Sequence, residues 1–373
     1  MEDLLERLPA SLEEDLVRSC IQGRTVMVTG AAGSIGSELL RQLARFAPSG
    51  LICFDQAETP LFELERELER AFPALAIHYE MGNVVRFCDV NRVMKRYQPE
   101  VVFHAAAYKH VPMVERQPFA ALENNVFGTW NVAQAAAANG VDSFVMISTD
   151  KAVRPVSMMG VTKRIAEMGI QSIEKPGGTK FITVRFGNVI GSSGSVVPIF
   201  KSQIAAGGPV TVTHAEMSRY FMTAPEAAQL VLQALAMGKG GEIFVLDMGE
   251  PVKVLDLAKK LIRLSGFEPD ADIRIEFTGP RSGEKLMEEL SAKDEELRPT
   301  RHAAIRNAVS TKKVDAARMN TLIEELQQAV DARSFSRALL LLKEMTPDYV
   351  PGPELLSSFL STQDIYSTEV AAF

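Results

Sequence analysis

Short apolar runs alternate with helical segments along the first half of this 373-residue chain, and the alternation limits the folds available to it. Buried strands are indicated by the runs TVMVTG, LICFD, VVFHAAA, SFVMIST and FITVRFGNV, and segments with helical periodicity lie between them. Strands and helices that alternate in this way form βαβ units, in which helices cover both faces of a parallel sheet. We therefore predict an α/β fold with a Rossmann-type, doubly wound parallel sheet.

A glycine-rich turn follows the first predicted strand and opens a helix. Gly30, Gly33 and Gly36 permit a tight turn and the close approach of a pyrophosphate, and the helix N-terminus offers unpaired N–H groups to phosphates. Asp55 closes the second strand 19 residues after Gly36, where a carboxylate can bond both ribose hydroxyls. The two features together predict a dinucleotide site. Because a carboxylate repels a 2′-phosphate and Gln56 follows rather than arginine, we predict NAD rather than NADP.

Further residues at strand ends complete the predicted cofactor site. Asn83 ends the third strand, where it either contacts adenine or forms a turn, and the sequence does not decide between these. The small residues 105–107 allow the cofactor to lie against the fourth strand, and they also allow tight helix packing. The predicted cofactor-binding residues are Gly30, Gly33, Ser34, Ile35, Gly36, Asp55, Asn83, Val84, Ala105, Ala106, Ala107 and Lys163.

The sequence pattern changes after Asn188, where turns rich in glycine replace the regular alternation of strands and helices. We interpret this change as the start of a smaller mixed α/β substrate-binding domain. The stretch from about Pro347 has little periodicity and is expected to form an extended arm or a tail. The predicted division is 1–20, a helical lead or linker; 21–188, the NAD-binding Rossmann domain, to which 216–248 return; 189–215 and 249–346, the substrate-binding domain; and 347–373, the C-terminal arm or tail.

Composition and charge exclude several classes of protein. The chain has a globular composition, with 46% hydrophobic and 23% charged residues, and its formal net charge of −7 argues against nucleic-acid binding. Local basic residues can still bind an anionic ligand. The three cysteines are widely spaced, so we expect a reducing compartment, no disulfide framework and no metal site. No apolar run reaches the roughly 18 residues of a membrane-spanning helix, so we expect no membrane segment in this chain.

Residues 148–163, STDKAVRPVSMMGVTK, place chemically active side chains directly after an apolar run. Thr149, Asp150 and Lys151 supply a hydroxyl, an acid and a potential base. Adjacent side chains on a strand point to opposite faces, so the triplet must leave the strand if both charged groups are to reach one substrate. Met159 and Lys163 follow, four residues apart, and the Met159 thioether cannot ionise. The predicted catalytic residues are Thr149, Asp150, Lys151, Met159 and Lys163.

Seven segments occur in order along the chain: TGAAGSIG, HAAAYKHVPMVE, ENNVFGTWN, STDKAVRPVSMMGVTKR, RFGNVIGSSGSVVPIF, MSRYFMT and GPRSGEKLMEEL. In these segments, from about residue 20 to 350, the chain resembles the 4,6-dehydratases of UDP-N-acetylglucosamine. These are extended short-chain dehydrogenases of bacterial polysaccharide biosynthesis. Short-chain dehydrogenases normally carry Tyr-x-x-x-Lys where this chain has Met159 and Lys163, and dTDP-glucose dehydratases carry glutamate in place of Lys151. Both departures agree with the membrane-anchored branch of the UDP-sugar enzymes.

Members of that branch carry transmembrane helices ahead of the catalytic domain, joined by a segment similar to EDLLERLPASL, which here follows Met1 directly. A truncated catalytic domain would begin in this way, and so would a natural soluble protein with a short leading helix. The expected location is cytoplasmic, either alone or as the cytoplasmic domain of a longer inner-membrane protein.

The resemblance implies dehydration by internal oxidation and reduction. Hydride passes from C4 of the sugar to NAD+, the C5 proton and the C6 hydroxyl are lost, and the hydride returns to C6. We assign Lys151, as a neutral amine, to the C5 proton, protonated Asp150 to the departing C6 oxygen, and Thr149 to O4. Because Met159 cannot accept the O4 proton, its acceptor stays open among Asp150, Lys151, Lys163 and water. Lys163 is expected to bond the nicotinamide ribose.

The resemblance also predicts the substrate side of the site. Arg219 and Arg281 are candidates for the pyrophosphate, because a planar guanidinium bonds phosphate oxygens in pairs; surface ion pairs are the alternative for each. Glu284 and Lys285 are expected to organise their loop. The predicted substrate-binding residues are Lys109, Asn188, Val196, Thr211, Arg219, Arg281 and Glu284. The expected partner is UDP-N-acetylglucosamine or a similar UDP-sugar, and we expect a homo-oligomer.

Three other functions stay open at this point. A UDP-sugar 4-epimerase would share the fold and the cofactor, but it would not need Asp150 and Lys151 and would keep the tyrosine. A dehydratase that also inverts C5 is compatible with the triplet. A non-catalytic NAD-sensing protein would account for the lost tyrosine, but not for the presence of Asp150, Lys151 and Lys163.

Overall fold

The strands and helices that follow come from a computed structural model, which describes residues 12–173, 178–312 and 314–359. The strands are β1 (Thr25–Thr29), β2 (Gly50–Asp55), β3 (Ile77–Met81), β4 (Val101–His104), β5 (Ser143–Thr149), β6 (Lys180–Phe186), β7 (Asn188–Val189), β8 (Val210–Val212), β9 (Ser218–Arg219), β10 (Phe221–Met222), β11 (Ile243–Leu246), β12 (Val252–Lys253), β13 (Ile275–Phe277), β14 (Glu295–Pro299) and β15 (Ile305–Ser310).

The helices are α1 (Glu14–Ile21), α2 (Ser34–Leu43), α3 (Glu58–Ala71), α4 (Phe87–Tyr97), α5 (Val111–Arg116), α6 (Pro118–Ala121), α7 (Gly128–Ala138), α8 (Met158–Ile173), α9 (Val196–Ala205), α10 (Ala224–Met237), α11 (Val254–Leu264), α12 (Ala316–Asp331), α13 (Phe335–Met345) and α14 (Pro353–Phe359). Short 3-10 turns span Ala44–Phe46 and Asp150–Ala152, and a π-helical segment, Leu122–Phe127, joins α6 to α7.

The described strands build a nine-stranded sheet in the order β14-β15-β11-β6-β5-β4-β1-β2-β3. The strands from β3 to β11 in this order are parallel, whereas β15 pairs antiparallel with β11, and β14 with β15. The order β3-β2-β1-β4-β5-β6 is that of doubly wound nucleotide-binding sheets, which bind ligands where the strand order reverses, here between β1 and β4. The predicted α/β fold with a Rossmann-type parallel sheet is confirmed.

The central strands carry apolar side chains on both faces, which explains why helices pack on both faces of the sheet. In β1, Val26, Met27 and Val28 are all fully buried, although successive side chains point to opposite faces. Helices α1, α2 and α10 pack on one face, and α4, α7 and α8 pack on the other. The edge strand β3 carries polar side chains that are only partly buried. The best-shielded part of the core therefore lies under β1, β4 and β5.

A further pair of helices packs outside α8. Helices α12 and α13 lie against each other and against α8 and the π-helical segment, and they bury Leu326, Leu339 and Leu342 in one apolar cluster. Met158 and Met159, at the start of α8, belong to the same cluster. The position of α8 is therefore fixed from the sheet side and from the outer side.

A smaller unit of mixed structure contains α9, α11 and three two-stranded ladders, which pair β7 with β10, β8 with β13 and β9 with β12. Its own apolar cluster includes Phe200, Val210 and Ile262. It joins the sheet at Asn188, two residues after β6 ends. Loops from this unit therefore reach the carboxyl edge of the parallel strands.

Part of the expected substrate-binding domain packs elsewhere in the structure. Residues 249–346 were expected to form part of the substrate-binding domain, but β14 and β15 extend the main sheet, and α12 and α13 pack on α8. The reason is apolar burial, since Ile305 and Ala308 of β15 are shielded beside β11. The remaining domain boundaries stay predictions.

The two ends of the chain lie partly outside the described residues. Of the expected lead at 1–20, residues 12–20 are described, and α1 packs Val17 into the main core. Of the expected arm at 347–373, residues 347–359 are described; Tyr349 is fully buried and α14 packs Leu355, so this part is not an extended arm. Among the described residues, none of the helices combines the length and the apolar character that crossing a bilayer requires.

Replacing Phe144 by alanine should lower the free energy of unfolding by about 3–5 kcal/mol, because it empties a fully buried site at the centre of the sheet. The matched control is Phe62→Ala on α3, where the ring is 52% exposed, and its effect should stay below about 1 kcal/mol. Urea unfolding followed by circular dichroism measures both. Equal losses in the two variants would contradict the described position of the core.

Candidate functional site

The glycine-rich turn after β1 is packed too closely for side chains. Gly30 has φ of +68°, and a Cβ there would lie 2.6 Å from the backbone nitrogen of Ala106. A Cβ on Gly36 would collide with the carbonyl oxygen of Gly30. The turn therefore brings the N-terminus of α2 directly against the ends of β1 and β4. This is the arrangement that leaves helix N–H groups open to a phosphate.

Asp55 is held at the end of β2 by backbone groups. Its Oδ2 accepts a hydrogen bond from the N–H of Ala32 at 3.0 Å, and its Oδ1 accepts one from the N–H of Ala57 at 2.9 Å. Each carboxylate oxygen keeps a second lone pair. The carboxylate is thus oriented by the chain and can still accept bonds from a diol.

Most of the predicted cofactor residues meet at one cleft. The cleft is lined by Gly30, Gly33, Phe54, Asp55, Gln56, Gly82, Val84, Ala105, Ala106, Ala107, Tyr108 and Asn124. Ser34 and Ile35 begin α2 beside it, and the Ser34 hydroxyl accepts a hydrogen bond from the N–H of Ser193 at 3.2 Å. The oxygen of Asn83 accepts a bond from the N–H of Val85, so this side chain forms the turn that the sequence left as one of its two roles.

Asn125 fixes the loop that follows β4. Its oxygen accepts a hydrogen bond from the N–H of Tyr108 at 2.8 Å, and its amide nitrogen donates to the Tyr108 carbonyl at 3.0 Å and to Thr162 at 3.1 Å. Asn125 lies in the π-helical segment, whose irregular turn directs it at both β4 and α8. The loop that carries Lys109 and the helix that carries Lys163 are therefore joined through one side chain.

His104 lies buried behind this loop and is neutral. Burial, and secondly the charge of Lys163, lower its pKa to about 3. Thr129 donates its hydroxyl proton to the carbonyl of Asn125, so it accepts from Nε2 of His104, and Nδ1 then accepts from Thr29. His104 thus links β1 to α7 and is not a candidate acid or base.

The triplet leaves β5 as its spacing required. The strand ends at Thr149, and Asp150 begins a 3-10 turn that also contains Lys151. Thr149 donates its hydroxyl to Oδ1 of Asp150 at 2.9 Å, and Lys151 donates from Nζ to the same oxygen at 2.9 Å. Gly160 of α8 packs directly against the Lys151 carbonyl, where a Cβ would collide. The turn therefore places the acid and the amine side by side.

The two oxygens of Asp150 differ in their surroundings. Oδ1 accepts the two bonds from Thr149 and Lys151, whereas Oδ2 is buried and has no hydrogen-bond partner among the described residues. A Cβ on Gly187 would lie only 2.9 Å from Oδ2, so the glycine lets the backbone pack closely against that oxygen.

Three oxygens surround the amine of Lys151. Besides Asp150, Nζ donates to Oδ1 of Asn188 at 3.0 Å and forms an ion pair with Oε1 of Glu288 at 3.8 Å. Asn188 and Glu288 lie 100 residues apart in the sequence, on either side of the smaller unit. The predicted substrate residue Asn188 therefore contacts the predicted base.

Met159 and Lys163 are buried residues of α8, one helical turn apart. Met159 is buried in the apolar cluster with α12 and α13, as a core-filling methionine would be. Lys163 is also buried, and burial lowers its pKa to about 8, while Glu167 opposes the shift. A neutral amine is therefore accessible to Lys163 near physiological pH.

The remaining predicted substrate residues lie at different places around the cleft. Arg219 is buried and donates to the carbonyls of Ser218 at 2.7 Å and Leu286 at 3.2 Å. Val196 is the first residue of α9, directly after the loop of Ser193. The hydroxyl of Thr211 accepts from the amide of Gln203, which is in the smaller unit. The substrate-binding roles of these residues stay predictions.

Arg281 and Lys109 lie in two different loops. Arg281 is exposed, and Glu284 accepts a hydrogen bond from its backbone N–H at 3.2 Å, so Glu284 closes the turn as expected. Lys285 donates to the carbonyl of Val153 at 2.8 Å. The Lys109 residue is exposed, although surrounding protein lowers the pKa of its amine by desolvation, and His110 packs against the glycine-rich loop at Gly194.

A buried ion cluster lies beneath the triplet. Arg185 of β6 donates two hydrogen bonds to Glu167 of α8 and two to Glu295 of β14, at 2.7 to 2.9 Å. Arg164 contacts the same two carboxylates, and Ser148 donates to Glu167 at 2.6 Å. Burial would raise the pKa of Glu295, but the hydrogen bonds and charge of Arg185 outweigh it and lower the pKa to about 2. The cluster is therefore fully ionised at neutral pH.

Comparisons with known proteins identify the family of the chain. A family model described as "Polysaccharide biosynthesis protein" matches residues 26–310. The chain belongs to this family. The match contains β1 and its glycine-rich turn, the triplet, Asn188 and the loop of Glu288, so the cleft and the acid–amine pair both lie within the family region of this polysaccharide biosynthesis protein.

Two relatives are about half identical to the chain over the part that aligns. It is 53% identical over 295 residues to the probable polysaccharide biosynthesis protein EpsC of Bacillus subtilis, and 52% identical over 303 residues to the capsular polysaccharide biosynthesis protein CapD of Staphylococcus aureus. Each match covers 79% of this chain and 49% of the relative, so the chain spans about half the length of either protein. A UDP-glucose 4-epimerase of Rickettsia conorii is 34% identical, over 73% of this chain and 79% of the relative.

Solved structures share the fold. Pen from Bacillus thuringiensis is 32% identical, with a TM-score of 0.69, over 83% of this chain and 99% of that one. DesIV from Streptomyces venezuelae, a dTDP-glucose 4,6-dehydratase with NAD and TYD bound, is 20% identical, with a TM-score of 0.65, over 82% of this chain and 98% of that one. At this identity the second likeness concerns the fold alone.

Several residues that shape the site were not predicted from the sequence. Asn125, Glu167, Arg185, Glu288 and Glu295 all contact the triplet or its supports. Asn125, Arg185 and Glu288 lie in the segments ENNVFGTWN, RFGNVIGSSGSVVPIF and GPRSGEKLMEEL, which carry the family resemblance, but nothing in those segments indicated the contacts that these residues make. The pairing of Arg185 with Glu295 spans 110 residues and has no local signal.

Replacing Arg185 by methionine should lower the free energy of unfolding by about 3–5 kcal/mol, because two buried carboxylates lose their main partner. The matched control is Arg24→Met, which breaks an exposed pair with Asp142 and should cost less than about 1 kcal/mol. Urea unfolding at pH 7 measures both. Losses of the same size would contradict a structural role for the buried cluster.

The same variant should alter the acid sensitivity of the fold. The pKa of Glu295 lies below its ordinary value of 4.5, so its contribution is complete above about 4.5 and is lost as the pH falls towards 2. Without Arg185 this contribution disappears. Stability measured from pH 6 to pH 2 should therefore fall less steeply in Arg185→Met than in the unsubstituted protein.

Proposed function

We propose that this protein is a nucleotide-sugar 4,6-dehydratase that binds NAD. Its proposed reaction converts UDP-N-acetylglucosamine to a UDP-4-keto-6-deoxy-N-acetylhexosamine for polysaccharide biosynthesis. The observation that carries the proposal is the pair of Asp150 and Lys151, an acid and an amine 2.9 Å apart at the carboxyl end of β5. Removal of water across C5–C6 needs a base and an acid together, whereas oxidation at C4 alone does not.

The cleft between β1 and β4 fits a dinucleotide. The close packing at Gly30 and Gly36 exposes the N-terminus of α2. The Asp55 carboxylate is oriented by backbone N–H groups, and its oxygens can each accept a further hydrogen bond. A carboxylate at this place favours the free ribose hydroxyls of NAD over a 2′-phosphate. NAD, when bound, would accept the C4 hydride and return it to C6. Lys163, buried on α8, would lie on the nicotinamide side and donate to the ribose.

Asp150 is proposed to protonate the departing C6 oxygen. Its Oδ1 is occupied by Thr149 and Lys151, so the proton is placed on Oδ2, which has no hydrogen-bond partner among the described residues. Burial around Oδ2 excludes the water that would otherwise compete for this proton. The C6 hydroxyl then leaves as water, and the carboxylate that remains is stabilised by Thr149 and Lys151.

Lys151 is proposed to remove the C5 proton as a neutral amine. The direct contact with Asp150 allows one proton to move from the ammonium to the carboxylate, which produces the neutral base and the protonated acid in a single step. After elimination, the amine carries the C5 proton and can return it to C5 when C6 is reduced. Asn188 holds the amine in this position through its Oδ1.

The second candidate function is a UDP-sugar 4-epimerase. The relative from Rickettsia conorii, named as a UDP-glucose 4-epimerase, is similar over most of its length, which favours this alternative. The methionine at 159 does not separate the two functions, because both oxidise C4 and both must move the O4 proton. The acid–amine pair, however, would have no role in an epimerase.

The test is incubation of the purified protein with UDP-N-acetylglucosamine in deuterium oxide, followed by mass spectrometry and NMR. A product that has lost one water and gained one deuterium at C5 would support the dehydratase. Substrate labelled with deuterium at C4 should carry that label to C6. An unchanged mass with a second hexosamine isomer would indicate the epimerase, and no change with NAD retained would contradict both enzymes.

Replacing Lys151 by methionine should reduce the rate of dehydration at least about 100-fold, because the base is lost while the apolar stem remains. The matched control is Lys253→Met, which removes an exposed amine paired with Glu216 and should leave the rate unchanged. Initial rates and bound NAD are measured in both variants. A Lys151→Met protein that still releases water at the full rate would refute the assignment.

A further inference from the structure

Glu288 is a buried carboxyl group beside the proposed base that the dehydration steps above do not use. The residue is 4% exposed, and its Oε1 lies 3.8 Å from Nζ of Lys151. It comes from the segment between β13 and β14, so the approach to Lys151 is a contact between distant parts of the chain.

The loop of Glu288 is fixed from several sides. Ser218 donates its N–H to the carbonyl of Leu286 at 2.9 Å, and Arg219 donates to the same carbonyl. Lys285 donates to the carbonyl of Val153, just after the catalytic turn. These contacts hold the segment directly before Glu288 in place without using its carboxyl group.

The charges that face Glu288 come from three elements. Asp150 and Lys151 belong to the turn after β5, Arg219 belongs to β9, and Lys285 belongs to the same loop. Burial raises the pKa of Glu288; Lys151 opposes this most strongly, and Asp150 adds to it. The groups of the site therefore act on the pKa of this carboxyl group in opposite directions, and burial dominates.

The consequence concerns the charge of the amine. Lys151 can accept a proton only when it is neutral, and a carboxylate within about 4 Å stabilises the ammonium form. A neutral carboxyl group at the same place has no such effect. Asp150 must in turn hold a proton at the elimination step. The protonation of Asp150, Lys151 and Glu288 is therefore coupled, because the charge of each group affects the other two.

We propose that Glu288 is a positioning residue whose charge sets the protonation of Lys151, and hence the pH range in which Lys151 can act as the base. This inference rests on the proposed function for its catalytic meaning, but the charge coupling itself does not. Ionised Glu288 keeps Lys151 as an ammonium, and protonated Glu288 releases the amine.

The experiment compares Glu288→Gln with Glu289→Gln. Glutamine keeps the size of the side chain and cannot ionise. Glu289 is the adjacent residue and pairs with the exposed Arg154 at 3.0 Å, so its substitution removes an equal charge that does not face the site. Circular dichroism and thermal unfolding establish that both variants are folded.

The first readout does not depend on any substrate. Lysine acetylation is measured over a range of pH by peptide mass spectrometry, with exposed Lys201 as the internal standard. In Glu288→Gln, half-maximal labelling of Lys151 should move to lower pH by about one unit or more, a roughly tenfold larger neutral fraction at a given acidic pH. Glu289→Gln should match the unsubstituted protein. An unmoved midpoint in folded Glu288→Gln would overturn the proposal.

The second readout is the pH profile of dehydration. The limb on which the rate rises with pH reports the neutral amine, and it should move to lower pH in Glu288→Gln, because a negative charge that favours the ammonium is gone. A purely structural Glu288 would lower the rate at every pH without moving this limb, and that result would overturn the catalytic part. If the unsubstituted protein turns over no nucleotide sugar, the proposed function fails, and the labelling alone decides on the charge coupling.

Discussion

The guanidinium of Arg185 lies between the carboxylates of Glu167 and Glu295, and this buried cluster ties together the elements that carry the candidate site. Arg185 belongs to β6, Glu167 to α8 and Glu295 to β14, while Ser148 of β5 donates to Glu167. A buried ion pair need not stabilise a fold more than apolar packing would, but removing one partner leaves an uncompensated charge. The cluster therefore requires β5, β6, α8 and β14 to keep one mutual arrangement.

The same arrangement fixes the start of the turn that carries Asp150 and Lys151. Ser148 is held by the cluster, so Thr149 and the turn of Asp150 and Lys151 start from a fixed point. The other end of the turn is fixed by Gly160 of α8, which packs on the Lys151 carbonyl. An acid and an amine can then remain 2.9 Å apart without relying on each other for position, which leaves their proton free to move between them.

The local parts of this design could be predicted from the sequence, whereas the long-range parts could not. A few neighbouring residues are enough to predict the glycine-rich turn, the position of Asp55 and the triplet, since backbone sterics and strand geometry are local. The contacts of Lys151 with Asn188 and Glu288 depend on how loops meet across the sheet edge, which no periodicity encodes. The same limit explains β14 and β15, short strands that look like part of the smaller unit but bury their apolar side chains against β11.

Met159 shows how packing and chemistry share one helix. A tyrosine at this position would place a hydroxyl near O4, but it would also have to fit the apolar cluster formed by α12, α13 and the start of α8. The methionine fills that space without a polar group to satisfy, and Lys163, one turn further on, stays buried with its pKa lowered to about 8. With no phenol at position 159, Lys163 and Glu167 are ionisable neighbours on this helix, and the proposed proton chemistry falls to the turn after β5. Under the proposed dehydration, the long-range contacts of Lys151 therefore matter more than they would in a site with a tyrosine, because fewer ionisable groups are left to move protons.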